Sequence, residues 1–204
     1  ESTGGGIALH RPGKLYIKTG DISYNNVKDG GSGTMGGGIA CDAGTAVTMA
    51  GGTIAGNKAY SGGGVYLLGN NSYTTTFNMS AGTIGKAGTS SDPVNAAAES
   101  TVGKHSNYAS SGAGIYAGAK TSVTITGGNI KYNYASSYGG ALYWKGATLS
   151  VNKLGSTYGT LSYNRAVKGG AVYFDADGNL TQAMMNNNQA DNMGGAIYIS
   201  GSKN

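Results

Sequence analysis

Chemistry needs reactive side chains in company, and in this sequence they stand apart. The carboxylates are Glu1, Asp21, Asp29, Asp42, Asp92, Glu99, Asp175, Asp177 and Asp191. A polysaccharide hydrolase or lyase needs a paired acid and base. Asp21 and Asp42 fall at different positions of the repeat set out below, and no two carboxylates recur at one position of adjacent repeats. Asp175-Ala176-Asp177-Gly178-Asn179 resembles part of a calcium loop but lacks the downstream bidentate Glu, so it reads as a turn. His10 and His105 stand far apart in repeat register and suggest no zinc pair. The single cysteine, Cys41, excludes an internal disulfide framework and a Cys-rich zinc site, and its apolar position predicts a buried thiol. The glycines form no strand–loop–helix phosphate cradle. The expectation is a non-enzyme with no catalytic residue, no metal and no cofactor.

The elements that position these residues are set by an unusual composition. Glycine supplies 39 of 204 residues, proline 2, and charged residues 11%, against about 25% in an ordinary domain. Apolar content of 39% and 15 tyrosines provide material to bury. The net charge is +5, but the basic residues are scattered, so nucleic acid is not an expected partner. No apolar run is long enough to span a membrane, and direct membrane insertion is not expected. The chain opens on Glu1 without a signal peptide, which reads as a processed product or a piece of a longer repeat protein.

Three signatures recur. A small-residue pair precedes an aliphatic at Ile7, Ile39, Val65, Ile115, Leu142, Val172 and Ile197. Asn-x-Ala, or Asn-x-Val once, precedes most copies, at Asn25, Asn57, Asn107, Asn133, Asn164 and Asn188. Between them lie alternating strands such as Val47-Thr48-Met49 and Phe77-Asn78-Met79, each followed by Gly-Thr-Ile. Alternation and β-branched content mark strands. Each unit therefore carries three short strands separated by tight turns. The predicted fold is all-β: a right-handed parallel β-helix, a solenoid of six to seven coils, occupying 1–204 as one domain.

Alternation also assigns faces. Ile7/Leu9, Ile39/Cys41, Val65/Leu67, Ile115/Ala117, Leu142/Trp144, Val172/Phe174 and Ile197/Ile199 read as core. Ala8, Ala40, Tyr66, Tyr116, Tyr143, Tyr173 and Tyr198 then face outward. The five tyrosines form a candidate ligand surface, for sugar rings or for protein, against the competing reading of cross-coil stacking that stabilises the solenoid. The six asparagines are expected to form a structural ladder at one corner. One departure breaks the period: Val65 and Ile115 lie 50 residues apart because residues 86–106 are inserted. Ser91-Asp92-Pro93 followed by Val94–Glu99 predicts a capped short helix there, in a loop that either carries function or is tolerated at the surface.

Gly169-Gly170-Ala171-Val172-Tyr173 with Leu161-Ser162-Tyr163-Asn164, and Gly194-Gly195-Ala196-Ile197 with Met185-Asn186-Asn187-Asn188, resemble the GGAI and FxxN repeats of polymorphic outer-membrane proteins, bacterial surface β-helices. The resemblance covers nearly the whole chain, with the family's Phe replaced by Ile, Leu or Met. It implies an extracellular or bacterial cell-surface domain, adhesin-like or structural, and leaves the ligand open; the outer tyrosines suggest a glycan or a host or cell-surface protein as the partner. Two alternatives stand beside it. Repeat motifs run close to both ends of the sequence without a polar capping unit, which suggests a filament subunit stacking on copies of itself. A carbohydrate-active enzyme of the pectate-lyase-like fold is the other.

Overall fold

The computed structural model describes residues 4–27, 32–86 and 105–201. They are all-β, in 23 strands. The first repeat holds β1 (Ile7–Leu9), β2 (Lys14–Ile17) and β3 (Asp21–Ser23). Next come β4 (Ile39–Cys41) with β5 (Ala46–Ala55), then β6 (Val65–Leu67) with β7 (Thr75–Ile84) and β8 (Tyr108–Ser111). A fourth set is β9 (Ile115–Ala117), β10 (Thr121–Ile125), β11 (Asn129–Lys131) and β12 (Tyr134–Tyr138). A fifth is β13 (Leu142–Trp144), β14 (Thr148–Val151), β15 (Lys153–Leu154), β16 (Thr157–Tyr158), β17 (Thr160–Ser162) and β18 (Arg165–Lys168). The last strands are β19 (Val172–Phe174), β20 (Asn179–Leu180), β21 (Met184–Asn186), β22 (Gln189–Met193) and β23 (Ile197–Ile199).

These strands form three open parallel sheets. The first runs β1-β4-β6-β9-β13-β19-β23, and the third β22-β18-β12-β8. Between them a ten-stranded sheet contains the path β20-β14-β10-β7-β11-β17-β21, with β2, β3 and β5 joined to it. Each residue pairs with its counterpart one repeat away, as in Val65↔Ile115 and Tyr143↔Tyr173. The pairing of β6 with β9 holds across the 50-residue step, so the insertion leaves the register of the repeat intact.

Two features differ from three short strands per unit. In β5 and β7 the expected second and third strands are one ten-residue strand, because the ladder continues through register shifts near Ala50 while Gly52 and Gly82 take positive φ. Glycine absorbs such a bulge without ending the strand. The hairpin of β15 and β16 is antiparallel and has no counterpart in the other repeats among the described residues.

The Gly-Gly pair has two separate physical reasons. Gly139 takes φ 62°, in the left-handed region, where a Cβ is strained. A Cβ on Gly140 would lie 2.3 Å from the Gly170 carbonyl oxygen of the next repeat. Ala141, next in line, faces the interior and is fully buried.

The core follows the alternation. Ile39, Cys41, Val65, Leu67, Ile115, Ala117, Leu142, Trp144 and Val172 are fully buried, and Phe174 nearly so. The strands opposite contribute Val47, Met49, Phe77, Met79, Val123, Ile125 and Val151. Ala109, Ala113, Ala135 and Ala166 form a second, small cluster beneath the third sheet, which explains the Ala of Asn-x-Ala. Three readings need correction. Ile197 and Ile199, expected in the core, are 37% and 71% exposed, because β23 is the edge strand and no described strand packs beyond it. Ile7, on the opposite edge strand, is half-buried for the same reason. Ala40, expected outside, is fully buried.

The asparagine ladder is present over all six members. Asn25 Nδ2 donates to Asn57 Oδ1, Asn57 to Asn107, Asn107 to Asn133, Asn133 to Asn164 and Asn164 to Asn188, at 2.9 to 3.1 Å. Each Nδ2 from Asn57 onward also donates to a strand carbonyl of the preceding repeat, as Asn133 does to Ile84. The residue before the ladder position turns the corner with positive φ in Tyr24, Gly56, Tyr132, Tyr163 and Asn187. A second polar set went unread in the sequence. Thr45, Thr75 and Thr121 are buried where the second sheet begins, and their hydroxyls donate to the carbonyls of Asp42, Leu68 and Gly118. Hydroxyls in that corner supply donors to turn carbonyls, and the Asp42 carbonyl also accepts the Thr45 N–H.

Cys41 lies fully buried on β4, where burial pushes its thiol up to about 12. The thiolate is the reactive form. The folded protein is therefore expected to ignore Ellman's reagent at pH 8 and to react on denaturation. Rapid native labelling would show that β4 opens locally.

Candidate functional site

The tyrosines at the outward position of the first sheet form one continuous stack. Ring centroids are 5.1 Å apart for Tyr66–Tyr116, 4.7 Å for Tyr116–Tyr143, 5.3 Å for Tyr143–Tyr173 and 5.2 Å for Tyr173–Tyr198. Interplanar angles are 14°, 4°, 6° and 18°. Parallel in-register pairing imposes this, since Tyr66↔Tyr116, Tyr116↔Tyr143, Tyr143↔Tyr173 and Tyr173↔Tyr198 are direct partners. Each contact contributes about 1 kcal/mol beyond area burial.

The stacking decides what this surface can offer. Tyr116, Tyr143 and Tyr173 each have a neighbouring ring on both faces, so they present edges and hydroxyls outward. A pyranose packs on a free aromatic face, and the interior of this stack has none to give. Tyr66 is a correction to the outward assignment: it is only 5% exposed, with Tyr116 stacked on it and Asp42 nearby. The other four remain half-buried at the surface.

Asp175 ties the stack to a cleft. Tyr143 donates its hydroxyl to Asp175 Oδ2 at 2.8 Å, Ser200 donates to Oδ1 at 3.0 Å, and Lys145 Nζ lies 3.3 Å from Oδ2. Partial burial pushes the carboxyl up, but the hydrogen bonds from Tyr143, Ser200 and Lys145 prevail and hold it below the usual carboxylate range. Asp175 is thus a fixed anion at neutral pH. The phenols move the other way. Burial pushes Tyr66 up to about 12, and it raises Tyr143, where the hydrogen bond to Asp175 adds to the effect. Burial and then the charge of Asp175 raise Tyr116. All three are neutral donors at physiological pH. Lys145, Tyr173, Asp175, Asp177 and Ser200 line a cleft of about 680 Å³ beside the stack. Asp177 is held in place through its backbone carbonyl, which accepts from Trp144 Nε1 at 2.8 Å. The cleft thus offers a carboxylate, an ammonium group and phenol hydroxyls as hydrogen-bonding groups.

A second column, missed in the sequence, runs along the third sheet at the residue following four of the six ladder asparagines. Lys58 Nζ sits 5.1 Å over the Tyr108 ring, Tyr108 packs on Tyr134 at 5.6 Å, and Arg165 sits 5.6 Å over Tyr134. Arg165 also pairs with Asp191 at 2.9 Å. The signal was the fixed position after Asn57, Asn107, Asn133 and Asn164, hidden because the residue type changes along the column.

Of the inserted segment 86–106, only Lys86, His105 and Ser106 are described; the helix expected at 94–99 lies outside the described residues. His105 Nδ1 is 3.1 Å from the Tyr24 hydroxyl, with the two rings edge to face. The end of the insertion thus returns beside the corner of the first repeat. Among the described residues no group of three His, Cys, Asp or Glu could hold a metal ion, and no helix is long and apolar enough to cross a membrane.

Comparison with family models, with curated proteins and with solved structures gives no match for this chain.

Proposed function

We propose that this chain is a stretch of a right-handed parallel β-helix from an exported or bacterial cell-surface protein. Its role is adhesin-like or structural and non-catalytic, and it meets a glycan or protein partner along the outer tyrosine edge and the Asp175 cleft. The observation that carries the reading is the parallel pairing of each repeat with the next, joined at one corner by the six-asparagine ladder. Such a stack holds chemically identical positions in rows and suits extended partners better than a single small molecule. The resemblance to GGAI and FxxN repeats supports the surface location. The neutral phenol hydroxyls and the fixed Asp175 carboxylate match the hydroxyls and amides of glycan or peptide.

Tyr173→Ala removes the ring shared by the stack and the cleft, and Asp175→Asn removes the anion. Both are expected to abolish binding on a glycan and host-protein array while the far-ultraviolet circular dichroism stays that of the parent. Binding unchanged in both variants would move the ligand site elsewhere and leave the stack a purely structural feature.

A further inference from the structure

The corner that carries the asparagine ladder places two kinds of residue just before the asparagine. Tyr24, Gly56, Tyr132, Tyr163 and Asn187 all take positive φ there. Glycine and asparagine adopt that conformation readily, whereas a tyrosine is strained in it. Tyr132 and Tyr163 stack on each other with ring centroids 5.0 Å apart, which offsets the strain. Tyr24 has no ring stacked on it among the described residues. It is 60% exposed and meets His105 edge to face at 6.2 Å, with its hydroxyl 3.1 Å from Nδ1. A strained, exposed ring held in place through its hydroxyl points to a ligand that packs on it.

Tyr24 lines a cleft of about 430 Å³. Register orders the rest of its lining. Asp21 pairs with Thr53 and Thr53 with Thr83, and the end of β7 pairs with β11 through Ile84↔Ile130. Asp21, Ser23 and Tyr24 therefore stand at one end, Thr53 and Thr83 form the floor, and Lys86 and Lys131 stand at the other end. The three steps from β3 to β11 make the cleft about 14 Å long, at about 4.8 Å per step. Among the described residues no ion pair involves Lys86, Lys131 or Asp21. Lys131 Nζ lies 5.9 Å from the Tyr132 ring, at the outer limit of a cation–π contact. Two ammonium groups thus share one end of the cleft without a carboxylate to neutralise them.

We propose that this cleft binds an anionic oligosaccharide. Its carboxylate or sulfate sits between Lys86 and Lys131, and a sugar ring packs on Tyr24. The hydroxyls of Ser23, Thr53 and Thr83 and the Asp21 carboxylate meet the sugar hydroxyls along the floor. Each group answers a different part of one ligand: ammonium groups the acid, a ring the apolar face of a pyranose, hydroxyls and a carboxylate its alcohols. The length admits more than one sugar unit. Asp21 disfavours a nucleic acid, whose phosphates recur along its whole length. The cleft lies at the ladder corner of the second sheet, on residues other than the outer tyrosines of the first sheet and the Asp175 cleft. The inference does not rest on the binding surface proposed there and can fail or stand without it.

The test is calorimetric titration of the whole chain with a mannuronate trimer, its methyl ester, mannotriose and a heparin-derived tetrasaccharide. One or both acidic sugars are expected to bind, more weakly as salt rises, and the two neutral trimers to bind less. Whichever acidic sugar binds tighter identifies the anionic group. Lys86→Gln/Lys131→Gln is expected to weaken that binding about tenfold. Lys14→Gln/Lys153→Gln, which removes the same charge from exposed positions elsewhere, keeps it. Tyr24→Gly separates binding from folding. Gly56 shows that glycine suits the corner, so melting is expected to hold or rise while affinity falls about tenfold. Equal binding of the acidic and neutral trimers, no binding of either acidic sugar, or full affinity in the lysine double variant overturns the inference. So does Tyr24→Gly with lowered melting and full affinity, which would make the ring a structural residue. Binding of a thymidine trinucleotide but none of the sugars overturns it in favour of single-stranded nucleic acid.

Discussion

Asn133→Ala is expected to lower the unfolding free energy by about 3 kcal/mol, because it strands buried groups on both sides of the ladder. The Asn133 amide accepts from Asn107 Nδ2 at 2.9 Å and donates to Asn164 Oδ1 at 2.9 Å and to the Ile84 carbonyl at 3.0 Å. It is 1% exposed, so water does not replace those partners. The variant leaves the Ile84 carbonyl without its side-chain donor and gives Asn107 one fewer acceptor. Asn188→Ala is the internal comparison. Asn188 makes the same kinds of bond, to Leu161 and Asn164, but is half-buried beside the edge strands. Water can reach the vacated groups there, and the loss is expected to be about 1 kcal/mol. Guanidinium unfolding of both variants reads the difference directly. Equal losses would mean that the ladder's worth does not come from burial, and that the corner is held by its backbone bonds alone. Asn133→Asp sharpens the test. It puts an acceptor where a donor faces the Ile84 and Lys131 carbonyls, and is expected to cost more than Ala.

The ladder was legible because its cause is local and repeated. Asparagine tolerates the conformations of tight corners and bonds its own kind one repeat away, so its spacing survives an insertion between Asn57 and Asn107. The tyrosine stack was legible for the same reason, one residue after each aliphatic. What the sequence could not convey was the cover over each position. Alternation puts Tyr66 and Tyr116 on the same side, yet Tyr66 is 5% exposed while Tyr116 reaches the surface. Alternation likewise puts Ile199 with Phe174, yet only Phe174 has a further strand beside it. The Lys58–Tyr108–Tyr134–Arg165 column stayed hidden because a row of mixed cations and rings has no repeated residue to find. The absence of charge from β5, β7, β10 and β14 was hidden differently: each strand looked ordinary, and only pairing them side by side shows what all four lack.

Trp144→Ala is expected to cost about 4 kcal/mol, the largest loss of any single side-chain truncation among the described residues. Trp144 is the largest fully buried residue and the only tryptophan. It stands in register between Ala117 and Phe174, so a small residue in one repeat makes room for the indole of the next. Its surroundings are shaped for it. A Cβ on Gly146 would lie 2.3 Å from Trp144 Cη2, and one on Gly178 would lie 2.4 Å from the Phe174 ring. Glycines carry no side chain that could swing into the vacated space, and the parallel ladder on both sides limits backbone collapse. The cavity therefore persists, which places the cost at the upper end of the range for aromatic truncation. The indole also donates to the Asp177 carbonyl, which connects the core to the cleft wall. Trp144→Phe separates the two contributions. It keeps most of the volume and loses the hydrogen bond, so its expected cost is about 1.5 kcal/mol, with a weakened cleft as the accompanying change. In the parent, emission from the single indole reports the packing before any mutation is made: a buried ring emits to the blue and resists acrylamide. Emission at the wavelength of free tryptophan, or a Trp144→Ala loss under about 1 kcal/mol, would mean that the interior does not close around β13.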